Sequence, residues 1–402
     1  MKSSHHADTA VSAETSPTRF RAVDALRGFA LLGIIIVNAP FFVSPTALAP
    51  AGESPLDFVA FWFTNAFFTG KFFLIFSFLF GFGFAAMLRR SSERSVELGQ
   101  RFARRLLGLF LFGLLHAALL FFGDILMLYA VLGVILWTTR NWPVRRLLIA
   151  ATVTYVVAIL CQASILELAL LEPLPAASQG SGYLGGFWDG VGQRIAEWPM
   201  TLSFIFVFNG PAALAMFWLG LALGRLGLFP PDASLRRRLK TVAMSALVLA
   251  GLGSGAVTAT AVLIPSAPQT ADATVWLAAA AFAALAPIFS FGLSITILDL
   301  AERRRETWVV RGLAETGSAS LTGYLLHSVI LSAVVSGWGL GYYGALGPAA
   351  CLAVALATFV LVATLINLWK LRFRFGPDEW LLRSLVELRW QPLSRPVRTD
   401  PV

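Results

Sequence analysis

Six side chains able to do chemistry stand inside otherwise apolar stretches of this sequence: Arg27, Asn38, Lys71, His116, Asp124 and His327. His116 and Asp124 are eight residues apart in HAALLFFGD. An imidazole titrates near neutrality and can act as a general base. It can equally be a hydrogen-bonded packing histidine. Asp124 follows Gly123 at a tight turn. There it either caps the next helix or orients an imidazole or a substrate hydroxyl. Tyr129 lies five residues further on. Asp24 and Arg27 are spaced i,i+3, so they can pair on one helix face. That pair is either an interfacial helix-start anchor or leaves Arg27 facing an inward cavity as an anion binder. Asn38 follows Arg27 by eleven residues. Three helical turns take about 10.8 residues, so the two share a stripe, about 16 Å apart along the axis. A buried Asn needs partners and therefore faces protein or water, where it can join helices. Lys71, at the head of KFFLIFSFLFGFG, either snorkels to an interface or binds substrate beside an outer cavity. His327 has Tyr324 one turn before it, and the two either line a cavity or pack. Asp299 and Glu302 read as interfacial charges.

The elements that must hold these groups follow from composition. Of 402 residues, 57% are hydrophobic and 13% charged, with 33 Phe and 12 Trp. Soluble domains carry about a quarter charged residues, so this chain could not cover a soluble surface. An ordinary cytoplasmic enzyme, a disordered chain and a secreted disulfide scaffold are excluded; Cys161 and Cys351 both lie in apolar runs. A helix needs about 20 apolar residues to cross a bilayer. Ten runs qualify, near 23–43, 59–88, 102–122, 125–139, 147–171, 199–224, 241–264, 274–300, 319–337 and 349–369. The second is too long for one span, so its first part reads as an interfacial helix before a span starting near Lys71. The fourth is short. The expected fold is an all-α polytopic transmembrane helix bundle of about ten spans.

Taking the polar segments alternately puts 29 of the 31 Lys and Arg residues in one set, leaving only Lys71 and Arg194 in the other. By the positive-inside rule both termini are cytoplasmic, and the net charge of +9 is a topology signal rather than a nucleic-acid footprint. Residues 1–20 lack a signal-peptide core and read as a disordered cytoplasmic tail, with His5 and His6 as a conceivable metal pair. Residues 21–390 read as a single transmembrane helical domain and 391–402 as a second cytoplasmic tail. The segment 173–198 reads as the longest outer loop, lying on the membrane surface or capping a cavity. No P-loop, HExxH, CxxC pair, clustered carboxylates or GxSxG elbow occurs, so no metal site is expected.

Several stretches resemble one family. VDALRGFALLGIIIVN, KFFLIFSFLFGFGF, RRLLGLFLFGLLHAALLFFGDILMLYAVLG and MFWLGLALGRLGLF, then LTGYLLHSVI, WGLGYYG and FRFGPDEWLLRSL, are similar to the YeiB-like family, domain of unknown function 418. The resemblance covers nearly the whole chain after residue 20, with the C-terminal family region at about 225–390. The family's motif in the ninth run commonly reads GRxxLTNYLLQS. Here Ser318, Gly323 and His327 replace the Arg, Asn and Gln, so no role of that Arg or Asn is carried over.

The family in turn is similar to transmembrane acyltransferases, among them heparan-alpha-glucosaminide N-acetyltransferase and the acyltransferase-three family. The shared piece is the first span. In acyltransferase-three proteins its Arg is followed, at the spacing of Arg27 and Asn38, by a His; in the glucosaminide enzyme that position is Asn, as here. That enzyme's catalytic His lies in the following loop. Residues 39–70 contain no His, so His116 is the natural substitute. The resemblance implies transfer of an acyl group from cytoplasmic acyl-CoA, a co-substrate rather than a bound cofactor, to an envelope glycan or small-molecule acceptor. Arg27, Arg104 and Arg105 would receive the phosphates, Asn38 would hold the thioester carbonyl, and His116 would deprotonate the acceptor, with Asp124 holding acceptor or imidazole. Lys71, Tyr129 and His327 would line the substrate path. A small-molecule transporter or exporter and a non-catalytic membrane component remain the alternatives. The expected location is a bacterial cytoplasmic (inner) membrane, the expected partner the lipid bilayer.

Overall fold

A computed structural model of the chain describes residues 17–43, 54–90, 95–171, 181–263 and 273–394. The expectations for His5 and His6 and for residues 395–402 fall outside these. The helices are α1 (Pro17–Val43), α2 (Pro55–Phe67), α3 (Phe72–Arg90), α4 (Ser95–Leu119), α5 (Leu126–Thr138), α6 (Val144–Leu171), α7 (Ser181–Leu184) and α8 (Phe187–Phe204). A single π turn, Ile205–Asn209, leads to α9 (Gly210–Arg225). Then follow α10 (Ala233–Leu263), α11 (Ala273–Arg303), α12 (Trp308–Ser318), α13 (Ser320–Val335), α14 (Pro348–Arg372) and α15 (Pro377–Glu387).

The fold is an all-α bundle. Among the described residues, eight helical segments are long and apolar enough to cross a membrane, and α12 with α13 makes a ninth if the bent pair is one span. That pair turns through 89° at Ala319. α5 has 13 residues, about 20 Å, which is less than the roughly 30 Å of a hydrocarbon core. The long second run breaks at Phe68–Lys71, where Gly70 takes φ 76° and α3 begins one residue after Lys71.

Part of one expected loop is helical instead. Within 173–198, residues 187–198 belong to α8. Polar and glycine-rich composition conceals a local cap: Asp189 accepts a 2.7 Å bond from the Gly186 amide at the helix start. Arg194 is buried because it donates to the Ala118 and Leu119 carbonyls at 2.9 and 2.8 Å. A cation on the last carbonyls of α4 satisfies groups that a helix end leaves without partners.

Close helix crossings are made where side chains are missing. α3 and α9 pack along each other. Gly81 on α3 faces the Phe217 carbonyl, and Gly220 on α9 faces the Phe78 carbonyl, so neither position has room for a Cβ. The basic segments also meet one another. Arg101 pairs with Glu387, Arg236 with Glu302, and Lys370 with Glu315. Arg89 donates to Gly224 O and Arg225 to Trp142 O. Asp299 accepts from Arg303 at 2.9 Å and lies 3.7 Å from Arg236.

Candidate functional site

Three segments bring the polar centre together. α4 carries His116 in its last turn, the α4–α5 turn carries Asp124, and α13 carries Tyr324, His327 and Ser328. His116, Asp124, His327 and Ser328 are at most 3% exposed. α4 and α5 approach closely because Gly113 offers no side chain. A Cβ there would stand 2.5 Å from Asp124 Oδ2 and 2.6 Å from the Met127 amide.

His116 Nδ1 lies 2.9 Å from Asp124 Oδ1, and His116 Nε2 lies 2.8 Å from Ser328 Oγ. A carboxylate only accepts, so Nδ1 carries the proton and donates to Asp124. In the neutral imidazole that leaves the Nε2 lone pair facing the Ser328 hydroxyl. Asp124 is held from two further directions. The Met127 amide donates to Oδ2 at 2.9 Å, and the Tyr324 hydroxyl donates to Oδ1 at 3.4 Å. Asp124 therefore caps α5 and orients the imidazole at once; the two roles read from the sequence are compatible. The Tyr324 ring lies 4.8 Å from the His116 ring and packs edge-on to His327. His327 Nδ1 is 3.3 Å from Gly323 O, and its Nε2 is 3.4 Å from Ser328 Oγ.

α13 is aimed at this centre by a half-buried cap. At the bend, Glu379 of α15 accepts from the Leu321 amide at 2.6 Å, the Thr322 amide at 3.2 Å and the Thr322 hydroxyl at 2.7 Å. Burial raises the Glu379 carboxyl above the usual range, while the bonds from Thr322 and Leu321 pull it back down. On the other side, Tyr183 of α7 stacks on Tyr343 at 5.0 Å and donates to Glu197 at 2.7 Å, and Tyr183 O accepts from the Gly337 amide. Burial pushes the Tyr343 hydroxyl up to about 12. This aromatic cover and Arg194 close over the ends of α4 and α13.

The other candidates are not hydrogen-bonded to this cluster among the described residues. Asn38 is half-buried on α1, one turn before Phe42, whose ring stacks on Phe121 at 4.3 Å. No hydrogen bond joins Asn38 to His116 among the described residues. Tyr129 pairs with Ser77 at 2.7 Å and donates to Phe73 O at 3.2 Å. Lys71 is fully buried at the α2–α3 turn. Its Nζ donates to Thr69 O at 3.1 Å and Asn65 O at 3.4 Å and sits 4.0 Å from the Phe282 ring centre. Arg27 pairs with Asp24 at 2.6 Å. Arg105 lies 5.2 Å over Phe80, and Arg104 Nε is buried with no hydrogen-bond partner among the described residues. Arg104 and Arg105 stand twelve and eleven positions before His116 on α4, about 17 Å along the helix.

The residue that sequence reasoning missed is Ser328. Serine is common in apolar helices, and its partner is 212 positions away. Its adjacency to His327 was the sole local signal.

A bundle of membrane-length helices closed around a buried His–Asp–Ser chain defines a multi-pass helical membrane protein with a polar centre. The family described as "Protein of unknown function (DUF418)" matches residues 223–389. The chain is 30% identical to "Uncharacterized protein YxaH" of Bacillus subtilis (strain 168), over 94% of this chain and 96% of that protein. It is 28% identical to "Uncharacterized protein YeiB" of Escherichia coli (strain K12), over 90% of this chain and 95% of that one. A 42% match to the "Uncharacterized 39.9 kDa protein in amylase 3'region" of Bacillus acidopullulyticus covers 29% of this chain and 33% of that protein. The chain belongs to the DUF418 family.

Proposed function

We propose that the protein is an acyl transferase of a bacterial inner membrane. It moves an acyl group from a cytoplasmic acyl-CoA to a hydroxyl or amine of an envelope or small-molecule acceptor. The observation that carries this reading is the line Asp124–His116–Ser328, with bonds of 2.9 and 2.8 Å. An imidazole whose Nδ1–H is fixed by a carboxylate presents its basic Nε2 in one direction, which is the geometry of base catalysis in acyl transfer. Arg27, Arg104 and Arg105 offer the donor's phosphates a cationic entrance, and the orphaned Arg104 Nε has a donor to spare. Asn38 holds the thioester carbonyl. Lys71, Tyr129 and His327 line the approach. Both termini are cytoplasmic in this reading, as the distribution of 29 basic residues in one set supports.

The test is the purified protein with labelled acetyl-CoA and an envelope extract. Labelled product that persists in His116→Ala removes His116 as the base.

One observation favours a second reading, a small-molecule transporter. α12 and α13 form a broken pair bent by 89°, and transporters place such discontinuous helices at their binding sites. Uptake or export by vesicles containing the protein, with no acyl transfer, is the result that reading expects.

A further inference from the structure

We infer that Ser328 is itself the nucleophile, so that the acyl group passes through an acyl-serine before reaching the acceptor. This rests on the acyl-transfer reading and specifies how the transfer proceeds.

The comparison lies within the same bundle. A serine in an apolar helix ordinarily bonds back to the carbonyl four residues earlier. Ser77, Ser203, Ser290 and Ser294 do so at 2.8, 2.8, 2.8 and 2.7 Å. Ser328 does not sit at that distance. Its oxygen is 3.3 Å from Tyr324 O but 2.8 Å from His116 Nε2. The hydroxyl has one proton, and the shortest of its contacts leads to the imidazole. His327 Nε2, at 3.4 Å, is a more distant second acceptor.

The arrangement meets each requirement of an activated serine. A base faces the hydroxyl, a carboxylate orients the base, and further donors fix the carboxylate. The chemistry balances without another reagent. Ser328 Oγ gives its proton to His116 Nε2 and bonds to the carbonyl carbon of an acyl thioester. The carbon–sulfur bond breaks, and the departing thiolate takes the proton from His116. A hydroxyl or amine acceptor then gives its proton to His116 and attacks the acyl-serine carbonyl. The carbon–oxygen bond to Ser328 breaks, and the serine oxygen recovers the proton. Ser328 is fully buried, and a site shielded from bulk water spares the ester from hydrolysis.

The test uses the full-length protein in detergent with a fluorophosphonate, a small electrophile that bonds to activated serines, followed by peptide mapping. The same preparations are assayed for acetyl transfer from labelled acetyl-CoA to envelope extract. Labelling is expected at Ser328 in the wild type. It should fall about a hundredfold or more in His116→Gln, which keeps hydrogen-bonding groups but no basic nitrogen. Ser328→Ala should lose both label and transfer while remaining folded, its melting temperature lowered only modestly as His116 Nε2 loses a partner. Absence of label at Ser328 in folded wild type overturns the proposal. So does transfer that survives Ser328→Ala but not His116→Gln, which would mean direct attack by the acceptor and leave acyl transfer standing. Label at Ser328 with no transfer from acetyl-CoA supports the nucleophile and contradicts the donor.

Discussion

His116 Nε2 stands 2.8 Å from Ser328 Oγ, although the two residues are 212 positions apart and belong to different helices. The contact ties the last turn of α4 to the middle of α13, inside a centre at most a few percent exposed.

Asp124→Asn keeps the side chain's shape but replaces an acceptor oxygen with a donor amide. The imidazole then loses the partner that fixes its tautomer. Acyl transfer should fall about 10²–10⁴-fold. Asp124→Ala should in addition lower stability by about 1–3 kcal/mol, because the Met127 amide and His116 Nδ1 lose their acceptor. Transfer assays and thermal melts of the two variants in detergent separate these effects.

Gly113→Ala should damage the site from behind. Its new Cβ would stand 2.5 Å from Asp124 Oδ2 and 2.6 Å from the Met127 amide. The neighbouring atoms are a backbone nitrogen and a fixed carboxylate, so relief requires α4 and α5 to part. A loss of about 1–3 kcal/mol is expected, as for other overpacked cores. The melting temperature and transfer activity should drop together. A variant with wild-type values for both would contradict the close approach of α4 and α5.

Arg104→Gln tests the cationic entrance. If Arg27, Arg104 and Arg105 bind the donor's phosphates, the KM for acyl-CoA rises about tenfold while kcat is nearly unchanged, the pattern of lost uniform binding. Added salt should raise the wild-type KM and so narrow the difference, since screening weakens the same attraction. A fall in kcat with constant KM would place Arg104 elsewhere in the cycle.

Glu379 gives the bundle a pH dependence with a definite sign. Burial raises its carboxyl above the ordinary value of 4.5. A raised value in the fold means that the neutral form is favoured there. The stabilisation is therefore full below the ordinary carboxylate range and is lost as pH rises through the raised value. Glu379→Gln stays neutral throughout. The melting temperature of the wild type relative to Glu379→Gln should thus decline from acidic to neutral pH. A difference that grows over that range would contradict the assignment.

Much of this architecture is legible in the sequence because a bilayer makes charge scarce. His116 and Asp124 are conspicuous among apolar neighbours, and their separation around Gly123 already suggests a turn that folds one back on the other. The break at Lys71 is legible from a glycine and a lysine interrupting an aromatic run. Residues 187–198 are not, because their glycines and charges describe a loop. Their helix depends on Arg194 finding the end of α4, a tertiary event. Ser328 is hidden for a different reason. Its chemistry comes from a histidine on another helix, and nothing in LTGYLLHSVI distinguishes it from a serine that merely bonds to its own backbone. The bend at Ala319 similarly depends on Glu379, more than fifty residues downstream.

The most direct measurement is transfer of label from acetyl-CoA to an envelope extract by purified wild type and His116→Gln, side by side at equal folded concentration. The account predicts a labelled product from the wild type and at least about a hundredfold less from the variant. Equal product from both proteins would contradict a catalytic centre at His116.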